Sequence, residues 1–202
     1  MNLPSAIAIY ANSHPIARAC IKLVGFSHSQ EEQIRQVLSE IPSQCLKHIK
    51  VIKATPSLGA KHGRYMGIKL GVIHLNPHDF SSRVKFGQGP GRKLPHVDLT
   101  LAHEIGHGVF LSLSPEQQKE WKAISGWKEG SGEGQAAPYK EKRPGWPKET
   151  STETHREGAK FTRHYAERNS DEDFADSFGF YALGQKSRVP QEKLAFLEKV
   201  LR

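Results

Sequence analysis

Residues 94–113, LPHVDLTLAHEIGHGVFLSL, carry Leu101, Ala102, Ile105 and Val109 as an apolar stripe at helical spacing. An α-helix turns once in about 3.6 residues, so position i+4 returns almost over position i. His103 and His107 therefore project from one side of the helix, beside the stripe, where a helix packed into a core can still present ligands to a cleft. HExxH on a helix is the pattern in which two neutral imidazoles bind Zn²⁺ and the intervening acid, here Glu104, takes a proton from a water held by the ion. Gly106 and Gly108 each cost such a helix about 1 kcal/mol against Ala, and they are expected to leave room beside the metal.

A catalytic zinc takes three protein ligands and keeps a fourth position open. The extended three-histidine pattern would need Gly at 110 and His at 113, where the chain has Phe110 and Leu113. NSDEDFADSF (169–178) instead starts a helix with Glu172 and Asp176 one turn apart, on the side away from Phe174 and Phe178. In an E-x-x-x-D pair the Glu binds metal, and the Asp accepts a hydrogen bond from the free ring nitrogen of a ligating His. An acidic first turn that only complements the helix dipole is the alternative, with Asp171, Asp173 or His164 then supplying the ligand.

Around these motifs, SHSQEEQIRQVLSEIP reads as a helix with Ile34, Val37, Leu38 and Ile41 on one face, a capping box at Ser29 and Glu32, and Pro42 as its stop. LKHIKVIKA suits a strand through Ile49 and Val51, and YMGIKLGVIHLNPHDF a second one, in which Ile68, Leu70 and Val72 alternate before Asn76 and Pro77. Residues 81–94 look like a loop. From about 128 to 160 the composition shifts to Gly, Pro, Ser, Thr and charge, which marks a long insertion. Ser170 is expected to cap the carboxylate helix and Gly184 to close it; Pro190 opens a last helix with Leu194, Leu197, Val200 and Leu201 on one side.

The 202 residues, 37% hydrophobic, are enough for a single domain with a real core: an N-terminal helix and sheet part to about 112, the insertion, and a helical part over 161–202. The expected class is α+β, a small mixed sheet with an edge strand above the motif helix and a helical C-terminal part. A formal net charge of +8 favours anionic partners, nucleic acid among them, or a solvated basic surface. Cys20 and Cys45 exclude a disulfide scaffold or multi-cysteine zinc site and leave one disulfide open. No segment approaches the roughly 20 apolar residues that span a bilayer, and Pro4 interrupts the short apolar N-terminal stretch. The expectation is a soluble protein, cytoplasmic or exported without a cleaved signal.

HEIGH followed by Y-x6-E-x-F-A-D-x-F, Tyr165 through Phe178, resembles the catalytic segment of the anthrax lethal factor and Pro-Pro endopeptidase family of zinc peptidases. The resemblance rests on 103–108 and 165–178, extends to the helix and strands of 29–76, and is absent over 128–160. It implies a single zincin-like domain with one catalytic Zn²⁺ held by His103, His107 and Glu172, Glu104 as base, and Tyr165 as oxyanion donor. Asp176 stands where the family commonly has Glu, which keeps its second role possible. Thermolysin-like peptidases share the same E-x-x-x-D spacing, which makes the site gluzincin-like in the wider sense. The family also places an edge strand above the metal, which here implies Gly67, Ile68, Lys69, Leu70 and Gly71 as the residues that pair with an extended peptide. Trp127, Trp146 and Pro147 would then wall the cleft.

A zinc-dependent endopeptidase acting on peptide or protein substrates is thus the leading expectation. The alternatives are a DNA-associated metalloprotease, an exported toxin or effector protease, and a non-catalytic metal-binding module.

Overall fold

Ile34, Val37 and Leu38 recur on one face of helix α1 (His28–Glu40) and are buried in the core. Its cap lies two residues before the expected Ser29 and Glu32. Ser27 is the last extended residue; its hydroxyl accepts from the Gln30 amide, and the Gln30 side chain accepts from the Ser27 amide. Glu32 pairs instead with His28, one turn back on the exposed face. The computed structural model describes residues 20–58, 62–82, 94–129 and 153–202. Trp146 and Pro147, and most of the 81–94 loop, lie outside them.

Strands β1 (Lys22–Val24), β2 (Val51–Ala54), β3 (Gly63–Tyr65) and β4 (Val72–Leu75) form one mixed sheet in the order β1-β2-β4-β3. β1 and β2 are parallel, β2 and β4 are parallel, and β3 runs antiparallel to β4 with Arg64 opposite His74. Ile52, Ile73 and Leu75 are fully buried between the sheet and the helices.

The expected strand over 67–76 is half right. Gly67–Leu70 is a single helical turn, α2, and only Val72–Leu75 is extended. Glycines in the left-handed region bound this turn, Gly67 at φ +80° and Gly71 at φ +63°, so the apolar alternation of Ile68 and Leu70 spans a turn and not a pleat. A side chain at Gly71 would also strike the His48 carbonyl at 2.4 Å. β4 is an interior strand, and the edge that lies against the motif helix is β3.

Helix α3 (His96–Ser112) contains the HEIGH motif and is buried almost all round; α4 (Pro115–Ser125), α5 (Ser170–Ala182) and α6 (Gln191–Val200) complete six helices among the described residues. α3 and α5 pack most extensively, and two glycines explain their close approach. A Cβ on Gly106 would lie 2.8 Å from Ala175 Cα, and one on Gly179 would lie 3.2 Å from Leu99 Cδ1. Gly108 faces the Tyr65 ring at 3.2 Å. These glycines therefore admit a helix and a ring, and do not clear space for a metal. Gly106→Ala is expected to cost about 2 kcal/mol net, overpacking outweighing the gain of about 1 kcal/mol in helix propensity. Thermal unfolding should show a drop of about 4–8 °C.

Asn169, not Ser170, caps α5, accepting from the Glu172 amide at 2.8 Å; Ser170 gives its amide and hydroxyl to Glu153. Gly184 follows the helix end at φ +72°, as expected. The ends of the insertion pair as a two-stranded antiparallel ribbon, β5 (Trp127–Glu129) with β6 (Glu153–His155). Trp127 is buried against His155 and Phe161 and donates to Asp173, so it belongs to the core and does not wall a cleft. Lys193 of α6 meets Asp173 at 2.6 Å, a buried ion pair that ties the last helix to α5. Cys20 and Cys45 are free thiols, and burial pushes Cys45 up to about 12. No helix among the described residues is long and apolar enough to cross a membrane.

Candidate metal centre

The close packing of α3 on α5 brings Glu172 and Asp176 to the two motif histidines. His103 and His107 Nε2 stand 3.1 Å apart, and Glu172 Oε2 lies 3.0 Å from the first and 3.5 Å from the second. His103 Nδ1 donates to Asp176 Oδ1 at 2.8 Å, and His107 Nδ1 donates to Asp171 Oδ1 at 2.8 Å. With both δ protons committed, each neutral ring presents an Nε2 lone pair to the other and to a carboxylate oxygen. Three acceptors converge with no donor among them, and Glu172 Oε2 is buried without a hydrogen-bond partner.

Tetrahedral ligands held at about 2.0–2.1 Å by zinc sit about 3.3 Å from one another. The triangle's three edges bracket that value, and the three residues could hold one metal ion. With no cation between them, the two rings hold a proton more tightly than a free imidazole does. Burial pulls the His103 imidazole down, but its hydrogen bond to Asp176 and the Glu172 carboxylate beside its Nε2 overcome this and push it up to about 9. His107 is likewise raised, burial being outweighed by Asp171 and Glu172. Burial would raise Glu172, yet the two histidines hold it well below the usual carboxylate range.

Glu104 is buried beside this triangle, and burial raises its carboxyl even though His107 and His103 pull it back. Edge strand β3 makes its place. A Cβ on Gly63 would lie 2.7 Å from Glu104 Oε1, and a backbone hydrogen bond from Tyr65 favours the ionised form. Tyr165, in a 3₁₀ turn (His164–Glu167), donates to Glu172 Oε1 at 3.2 Å and accepts from Arg168 at 3.0 Å. Burial first, and the Glu172 charge next, raise its phenol strongly, so it keeps its proton.

Asp176 is fully buried and shared: His103 donates to it, and Arg163 grips it with two donors, Nε to Oδ2 at 2.6 Å. Arg163 keeps Asp176 ionised against the cost of burial. The sequence carries no signal for Arg163, or for Asp171 as the partner of His107. The other ligand alternatives sit elsewhere, Asp173 on Lys193 and His164 exposed against Glu167.

A cavity of about 420 Å³ opens over the triangle. Gly67 lines it, but Ile68, Lys69, Leu70 and Gly71 do not; Gly63, Arg64 and Tyr65 of β3 line it instead. No family model matches the chain, and no curated protein matches it.

Proposed function

We propose that the protein is a zinc-dependent endopeptidase with a zincin-like catalytic domain. One observation carries this reading: three converging acceptors, their outer atoms fixed by Asp171, Asp176 and Tyr165, stand beside a buried carboxylate that none of them uses. A structural site would close on a fourth ligand, whereas this triangle opens on a cavity. His103, Glu104, His107, Tyr165 and Glu172 also match the lethal factor and Pro-Pro endopeptidase pattern residue by residue.

Zinc bound to His103, His107 and Glu172 would acidify a water and polarise the scissile carbonyl. Glu104, its carboxyl raised by burial, would then serve as the base that takes a proton from the attacking water and passes it to the leaving amine. Asp176 and Asp171 hold the two imidazoles in the tautomer that leaves Nε2 free. Tyr165, protonated at all working pH values, turns its hydroxyl from Glu172 toward the developing oxyanion, a donor worth about 3 kcal/mol in comparable sites. An extended substrate pairs with the outer edge of β3, unpaired among the described residues, which runs its backbone past Glu104.

Cleavage of a mixed peptide library, followed by mass spectrometry, tests the reading. Internal cuts should appear with zinc, vanish with chelator and return on adding zinc back. Zinc-loaded, folded protein that cuts no peptide would overturn it.

His103 adds a pH prediction. Its folded pKa of about 9 lies above the ordinary 6.5, so in metal-free protein its contribution to stability is complete below about 6.5 and is lost as pH rises through about 9. Urea midpoints of the metal-free protein should fall over that window. Zinc uptake at neutral pH should release a proton, seen as a buffer-dependent heat in calorimetry.

A further inference from the structure

A second cluster of ligating side chains adjoins the same cavity, and the peptidase reading makes no use of it. His62 precedes β3, Asp79 lies in the 3₁₀ turn Pro77–Ser81 after β4, and His96 is the first residue of α3. Three segments distant in sequence thus meet at one carboxylate. His62 Nδ1 is 3.1 and 3.0 Å from the two Asp79 oxygens, His96 Nδ1 is 3.6 Å from Oδ2, and the two rings stand 4.0 Å apart, edge to face.

The ligand atoms lie close enough together to bind one ion. The distances to Asp79 again bracket the roughly 3.3 Å edge of a zinc tetrahedron. His96 supplies an independent sign. Its Nδ1 is buried without a hydrogen-bond partner, since 3.6 Å is beyond hydrogen-bond reach. A buried nitrogen without a partner destabilises the fold, and a shared cation would remove that cost. Asp79 is only 7% exposed, and a buried carboxylate calls for a positive partner.

We propose that His62, Asp79 and His96 form a second site for a divalent transition metal of the zinc class, separate from the His103, His107 and Glu172 triangle. Two imidazoles and one carboxylate suit Zn²⁺ or Co²⁺, and not the all-oxygen preference of Ca²⁺ or Mg²⁺. His96 and His103 share a helix face two turns apart, about 10 Å along the axis, so the two ions do not form a paired cluster of about 4 Å spacing. The second ion clips the edge strand to the start of the motif helix. Three protein ligands leave it a fourth position, and both histidines line the cavity.

Counting zinc in the full chain by elemental mass spectrometry, after loading and desalting, tests this. The wild type should retain two ions per chain. Asp79→Asn, which keeps side-chain shape, should retain one, as should His62→Ala combined with His96→Ala. His107→Ala, which breaks the other triangle, should also retain one, and combining it with Asp79→Asn should leave none. Circular dichroism of each variant confirms folding, and Asp79→Asn serves if the double alanine variant does not fold. A single ion in the wild type that is lost with His107→Ala and kept in Asp79→Asn would overturn the second site and leave the peptidase reading intact. A single ion lost with Asp79→Asn and kept in His107→Ala would do the reverse.

Discussion

Glu104→Gln is expected to lower kcat for peptide cleavage by about 10²–10⁴-fold, the range for losing a general base. The amide is nearly isosteric, so it fits the space that Gly63 leaves and should not disturb the fold. Zinc content should match the wild type, because none of the three converging ligand atoms belongs to Glu104. Glu104 is buried and raised in pKa, so the substitution also removes a charge that folding must desolvate; stability should hold or rise slightly. Cleavage assays with parallel zinc counts separate the two effects. Full activity in the variant would remove Glu104 from the chemistry.

Asp176→Ala should have the largest effect on the folded protein. The carboxylate is fully buried and balances Arg163, which is left without its bidentate partner when the side chain is removed. Breaking a buried pair from one side costs about 3–5 kcal/mol. His103 loses the acceptor that fixes its tautomer, and such losses lower metal affinity about 10–100-fold. Chemical denaturation and zinc competition would read the two losses separately. Asp176→Glu, which restores the residue common in the resembled family, should recover part of the zinc affinity. It cannot restore packing, because the extra methylene enters a fully buried site.

The helices were legible because their signals are local. The apolar spacing of Ile34, Val37 and Leu38, the HEIGH stripe, and Phe174 with Phe178 each state a buried face within a few turns of chain. Caps depend on backbone conformation as well as on residue type. Ser29 and Ser170 have the right chemistry, but Ser27 and Asn169 hold the extended backbone at the last residue outside each helix. The 67–71 stretch failed for a related reason, since Ile68 and Leu70 alternate as strand residues do while the left-handed glycines on either side decide the turn.

Spacing along one helix determines that His103 and His107 share a face with Glu104 beside them, and that Glu172 and Asp176 share another; 3.6 residues per turn leaves no other arrangement. Which strand runs along the cavity, why Gly106 and Gly108 are glycines, and which groups orient the histidines depend on packing between segments far apart in the chain. Arg163 on Asp176, Asp171 on His107, Gly63 against Glu104, and the meeting of His62, Asp79 and His96 arise only when α3, α5 and the sheet edge come together. No periodicity encodes those meetings, because they are set by the closeness with which two helices and a strand pack and not by the residues that lie next to one another in sequence.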